Sequence, residues 1–507
     1  MRFDNITLQS RLTGYVFDEQ GRKYAFLYEN MKLFVFPNEE QSFEIENDHV
    51  QIASRAYRRG EVLQDKVIEG NVAGRNVVVR FVVSPLSTKV EEFVSYDVFS
   101  FYCYEPCYGK INKQLDSKNK NVEYFDNKID GILLYGQEID LFLNPGYAFG
   151  RKIETDENKI SQYYIYFDRS KKTYPCGEFQ FNDHSVKIEL VNRVTEYTLS
   201  ATPFIGKSVM KVNFDGPVEL KEAICVFKGI KHVLAFLFRR TNIQLTGFSV
   251  RCKSEIEREF GVYEEAYETK EEMMDIKDRY IDYLYIQDSF APLVKMAIDR
   301  DLFYDNIPND VSAWSKIGPT RMAFDFAAFD RINEIYYAKE KKLRSKLFYS
   351  VQEEIIELIS SKSDSCTGKK KKYFQDFNRQ IAHIDCSLKD RFKKILLDNE
   401  KCLSPFLIYD YDKEWKNQID DIGERLNTIR NDIDHGHRDI DLNGSTIFDI
   451  ETLEYLIYAV YLTKANVKPI IVANSINKLF GLHLDLKEAD FVHTEDIEEE
   501  KDFNSPE

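Results

Sequence analysis

The chain has 507 residues, too many for a single compact core, so two or three domains are expected. Its net charge of −16 argues against a protein that coats nucleic acid nonspecifically, but leaves room for a local basic cleft. With 43% hydrophobic and 30% charged residues the composition is globular, and no apolar run reaches the length of a bilayer span. The opening MRFDNITLQS has no apolar signal-peptide core, so export is not expected and a cytoplasmic location is. Eight scattered cysteines fit reduced thiols in such a compartment.

In chain order, residues 1–253 read as a β-rich domain. KLFVFP (32–37), NVVVRFVV (76–83), YYIYFD (163–168) and VKIELVNRVTEYTLSA (186–201) are rich in β-branched and aromatic residues. Turn formers such as DEQG, NPG and NFDG punctuate them. No long amphipathic helix is read between these runs, which favours an antiparallel sandwich or barrel-like domain over a parallel α/β sheet. Within it, ATPFIGKS (201–208) satisfies a loose phosphate-loop pattern that includes Lys207. Its strand-like flanks, and Pro203 and Phe204 inside the loop, point to a hairpin connection instead.

Residues 254–318 read as a helical linker and 319–485 as an all-helical domain, an α+β, multidomain layout overall. In 323–361 the spacing places Phe348, Val351, Ile355, Leu358 and Ile359 on one helical face. SDSCTGKKKKY (363–373) reads as an exposed loop, with helical segments at roughly 374–399 and 413–435. FDIETLEYLIYAVYLTKA (448–465) is apolar all round, hence a buried helix. Residues 486–507 form an acidic tail, read as disordered from about 493. Cys103, Cys107, His383 and Cys386 are candidate zinc ligands, but they lie in different halves without the compact spacing of a finger, so no metal is expected.

The densest cluster of chemistry is LNTIRNDIDHGHRDI (426–440). Before and through it, Trp415, Ile419, Ile422, Leu426, Ile429 and Ile433 step by four and three, one apolar stripe of a helix that Gly436 is placed to end. At about 100° per residue, Asn431 and His435 lie one turn apart, away from that stripe, with Arg430 on its flank. Two readings follow. Arg and His near the last carbonyls of a helix suit its dipole, which makes the cluster an ordinary helix end. Alternatively, a cation, an amide and an imidazole displayed away from the core form part of an active site.

RNDIDHG resembles the signature of HEPN domains: an arginine, a polar residue, a short spacer and a histidine. The wider layout, a β-rich front and a helical back, is similar to that of the ApeA family of bacterial anti-phage proteins. The resemblance implies a helical bundle acting as a metal-independent endoribonuclease without a cofactor, cutting RNA such as tRNA to arrest infected cells. It also implies a homodimer, or a higher oligomer, that pairs two such motifs in one cleft. The front domain would then restrain the nuclease or sense a phage protein. Arg430, Asn431 and His435 are the implied catalytic residues, with His437 as the alternative histidine. Lys369, Lys370, Lys371 and Lys372 become candidates for gripping the RNA backbone. Asp432 and Asp434 depart from what a phosphate site favours, and Asp434 is spaced to pair with Arg430. A HEPN bundle used only for binding or dimerisation, and a nucleotide-responsive sensor built on 201–208, are the alternative functions.

Overall fold

The computed structural model describes residues 11–17, 22–36, 66–74, 77–90, 93–104, 129–144, 149–155, 161–167, 173–195, 205–251, 260–265, 276, 278–337, 346–382, 388–407, 418–436 and 443–486. It divides into two compact units. The first comprises Met1–Leu234, Asn242–Lys270 and Asp282–Ile298; the second comprises Ala235–Thr241, Glu271–Ile281 and Asp299–Glu507. The layout is α+β, a barrel-like sheet in the first unit and a helical second one.

Six strands of the first unit form a closed antiparallel ring: β1 (Arg11–Phe17), β2 (Lys23–Glu29), β3 (Lys32–Phe36), β4 (Lys66–Val72), β5 (Val78–Val90) and β6 (Phe93–Tyr104). Pairings run β1–β2, β2–β3, β3–β6, β6–β5, β5–β4 and back to β1. Closure leaves the ring without a free edge. Side-chain alternation fills it: in RLTGYVF every second residue is buried, the two-residue period of a half-buried strand. Leu12, Val16, Tyr24, Phe26, Phe81 and Phe101 share the interior, with Phe26 edge-on to Phe81 at 5.3 Å between centroids.

β6 pairs with β5 along its length but outruns β3, which covers its other edge only at Val94–Asp97. Its far end, Ser100–Tyr104, pairs with β14 (Phe260–Glu265) and so starts a second run of antiparallel strands. That run continues through β13 (Gly247–Arg251), β7 (Ile129–Leu134), β12 (Ile205–Val218) and β11 (His184–Thr195) to β10 (Thr173–Phe181). β8 (Phe149–Thr155) and β9 (Ser161–Phe167) form a separate hairpin. Short helices α1 (Gln137–Phe142), α3 (Tyr283–Ile286) and α4 (Phe290–Ile298) and the longer α2 (Leu220–Phe238) complete the unit, α2 ending in residues of the second. Phe227 of α2 packs on Phe248 of β13 at 5.1 Å, and Phe142 on Phe290 at 5.0 Å. Two expectations are corrected here. A 19-residue helix lies inside the stretch read as strands. Conversely β14 lies inside 254–318, read as a helical linker, because FGVYEE has the aromatic and β-branched content to continue a sheet whose edge is open to it.

The second unit contains α5 (Pro319–Ile332), α6 (Lys346–Asp364), α7 (Gly368–Ala382), α8 (Leu388–Asp398), α9 (Glu400–Leu403), α10 (Ile419–Asp434), α11 (Gly444–Lys464) and α12 (Pro469–Phe480). Pro at the first position opens α5 and α12, where a missing N–H is harmless. The core joins Phe326 and Phe329 of α5, Phe392 and Ile395 of α8, Ile422 and Leu426 of α10, and Leu453, Leu456 and Val460 of α11. As expected, α11 is buried nearly all round from Thr452 to Leu462.

Two more expectations change. The lysine tract is not in a loop: only residues 365–367 separate α6 from α7, and Lys369–Lys372 form the first turn of α7. The apolar stripe of α6 does form on a helix, but Val351, Ile355 and Leu358 are exposed while Tyr349 and Gln352 are buried. Gln352 Nε2 donates to the Ile381 carbonyl and Asn378 Nδ2 to Ser360 Oγ, so polar contacts join α6 and α7. The acidic tail beyond residue 486 lies outside the described residues. No described helix is long and apolar enough to cross a membrane.

Candidate active site

The stripe of α10 sets the site. Ile419, Ile422, Leu426 and Ile429 are buried, which fixes the rotation of the helix about its axis. Trp415 lies outside the described residues. With that rotation set, Arg430 is half-buried on the flank, and Asn431 and His435 are exposed on the outer side. The helix closes at this point: the His435 N–H donates to the Asn431 carbonyl at 3.0 Å and the Gly436 N–H to that of Ile433 at 2.9 Å. Gly436 has φ 73°, the left-handed geometry that ends a helix and that a side chain resists. His437, the alternative histidine, lies outside the described residues.

Arg430 meets a partner that its sequence neighbours do not reveal. Asp330, near the end of α5, accepts both arms of its guanidinium, Nη2 at 2.7 Å and Nη1 at 3.2 Å. Arg391 of α8 donates to the same carboxylate at 2.8 Å. Asp434 stands 3.6 Å from Arg430 Nε, the pairing its spacing predicts. Three helices therefore bring two guanidiniums onto one carboxylate. Asp434 supplies a second anion from a largely exposed position. The buried Nε of Arg391 has no hydrogen-bond partner among the described residues. A guanidinium fork that fits a carboxylate fits phosphate oxygens equally well, so an incoming phosphodiester can take the place of Asp330 or Asp434.

The lysine tract is placed elsewhere in the unit: α7 packs on α6, whereas the Arg430 cluster is built from α5, α8 and α10. Lys371 lies 3.8 Å from Asp364; Lys369, Lys370 and Lys372 are exposed. Four cations at the positive end of a helix dipole reinforce one another, giving a concentrated positive potential.

The 201–208 stretch has no phosphate-loop geometry where it is described. Lys207 and Ser208 lie in β12, paired with Arg193 and Asn192 of β11, and a strand follows where the motif needs a helix. The Ser208 hydroxyl is buried and bonded to the Leu143 carbonyl and Asn192 Oδ1. Of the zinc candidates, Cys103 is buried in the barrel interior, and Cys107, His383 and Cys386 lie outside the described residues. Among the described residues no three His, Cys, Asp or Glu side chains cluster as a metal site.

No protein-family model matches the chain, and no curated protein or solved structure is significantly similar to it.

Proposed function

We propose that the chain is a metal-independent endoribonuclease of the HEPN type, acting in bacterial anti-phage defence. The observation that carries this reading is the Arg430 cluster: a guanidinium positioned by Asp330 and joined by Arg391, on a helix end that also carries the exposed Asn431 and His435, one turn apart from each other. RNA cleavage by transesterification needs a base for the 2′-hydroxyl, a cation for the charge that builds on the phosphorus oxygens, and an acid for the leaving 5′-oxygen. The imidazole of His435 can serve as general base or acid. Arg430, assisted by Arg391, stabilises the phosphorane, and Asn431 orients His435 or substrate. The products are a 2′,3′-cyclic phosphate and a 5′-hydroxyl.

Among the described residues of one copy, His435 is the imidazole at this cluster; a homodimer through the helical unit would pair two such motifs in one cleft and supply base and acid from separate copies. Lys369–Lys372 track the RNA backbone, tRNA being the favoured substrate. The β-rich front restrains the nuclease until a phage protein is sensed, in the cytosol.

The test is incubation of the purified chain with total bacterial RNA and with tRNA in EDTA, beside His435→Ala. Cleavage by the wild type alone, leaving cyclic phosphate ends, is the expected result. Loss of RNA in both samples places the activity elsewhere.

A second reading rests on Asp330 itself. With both arms of Arg430 already on a carboxylate, the bundle binds a partner and does not cut. On that reading no RNA is cleaved by the full chain with or without Asp330→Asn, a substitution that releases the fork.

A further inference from the structure

The helical unit holds a second polar centre: a cavity of about 320 Å³ lined by residues that include Arg239, Arg279, Trp314, Glu451, Tyr455 and Phe480. That volume is at the lower end of small-molecule sites. One wall is rigid. Glu454, buried on α11, accepts from Arg239 Nη2 and from Arg321 Nε, each at 2.7 Å. Trp314 Nε1 donates to the Arg239 carbonyl at 2.7 Å, and the Arg239 guanidinium lies 4.0 Å from the centre of the Phe480 ring. Arg239 is thus stacked on Phe480 and ion-paired, sharing Glu454 with Arg321.

Arg279 is not. It is partly exposed, 5.8 Å from the Trp314 ring centre, and has no ion-pair partner among the described residues. Space for it is made by Gly481, at φ 65°: a Cβ there would fall 2.5–2.7 Å from the guanidinium. Asp278, immediately before Arg279, and Arg239 also adopt positive φ, 59° and 49°. Such backbone in non-glycine residues concentrates where a fold holds a site open. Across α11, Glu451 has no hydrogen-bond or ion-pair partner among the described residues. Burial, reinforced by the charge of Glu454 and opposed by those of Arg239 and Arg321, pushes its carboxyl upward. The cavity therefore combines, among the described residues, a cation without an ion-pair partner, a carboxyl without a hydrogen-bond donor and three aromatic rings.

We propose that this cavity binds a small ring-bearing ligand, with an anionic group on Arg279, an N–H donor on Glu451 and the ring against Trp314, Tyr455 and Phe480. Aromatic stacking and a charge-assisted bond at each end supply its selectivity. Nucleoside monophosphates and aromatic amino acids share this chemistry. The inference uses neither Arg430 nor His435 and stands apart from the ribonuclease reading.

Calorimetric titration of the full chain with guanosine 5′-monophosphate, guanosine and L-phenylalanine tests it. One of the two probes that carry an anionic group is expected to bind at one site, and guanosine, lacking that group, more weakly than its monophosphate. Arg279→Gln and Glu451→Gln, each checked for native circular dichroism, are expected to weaken binding about tenfold or more. Saturable binding of the monophosphate identifies a nucleotide site; binding of phenylalanine identifies an amino-acid site. If neither binds at about 1 mM, or if Arg279→Gln binds as the wild type does, the proposal is overturned.

Discussion

Two arginine clusters of the helical unit share one composition and differ in burial. In each, two guanidiniums grip one carboxylate: Arg239 and Arg321 on Glu454, Arg430 and Arg391 on Asp330. The Glu454 side chain is 4% exposed and that of Arg239 7%, against 34% for Asp330 and 26% for Arg430. α5 carries a member of each, Arg321 near its start and Asp330 near its end. In the buried cluster no charge can change partners without being stranded in a medium of low dielectric, so it serves the fold. In the half-exposed one water and a phosphate can reach the guanidiniums, so a partner can be exchanged at small cost, as a binding site requires. On the proposed reading, burial, more than residue type, separates structural from functional use of the same ion pair.

The comparison is broken most severely at Glu454. Glu454→Gln leaves two buried guanidiniums without a counter-charge, and a loss of about 3–5 kcal/mol in urea unfolding is expected. A loss below about 1 kcal/mol would mean the buried cluster is no more structural than the exposed one.

The same cluster predicts a pH effect through Asp325, fully buried on α5. Asn306 Nδ2 donates to its Oδ1 at 3.2 Å, and its Oδ2 has no hydrogen-bond partner among the described residues. Burial, with the nearby charge of Glu454, holds its carboxyl well above the usual aspartate range. A raised folded value means that the native state keeps a proton the unfolded chain has released. Stability from this group is present below the unfolded value of about 3.9 and is lost as pH rises toward the folded one. Asp325→Asn lacks this slope, so its melting temperature should gain on the wild type as pH rises above about 4. Parallel curves would show that Asp325 is charged in the fold.

A smaller effect sharpens the other side. Gly436→Ala should cost about 1–2 kcal/mol, from left-handed backbone alone, because nothing lies within 4 Å of the added methyl. A larger loss would indicate packing at this helix end.

How much of this was legible follows from range along the chain. The stripe of α10, its glycine stop and the Arg430–Asp434 pair all lie within a few turns, where helical spacing speaks directly. Asp330 lies 100 residues from Arg430, and Arg391 joins them from a third helix, so no local pattern marks either. The cavity residues come from several separate segments, and Gly481 and Asp278 matter only through backbone angles. α2 was missed because LKEAICVFKGIKHVLAFLF mixes β-branched and aromatic residues with helical spacing, beneath a sheet. The lysine tract misled through composition: a polar, glycine-led run reads as a loop, yet one short turn on Gly368 is enough to start α7.

The central claim is that the half-exposed cluster is spent on chemistry and hardly on stability. Measuring unfolding free energy and RNA cleavage on one preparation of Arg430→Ala tests it most directly. The expected result is a stability within about 1 kcal/mol of the wild type and cleavage reduced about 10²–10³-fold. Cleavage at the wild-type rate, or a loss of stability as large as that of Glu454→Gln, would contradict it.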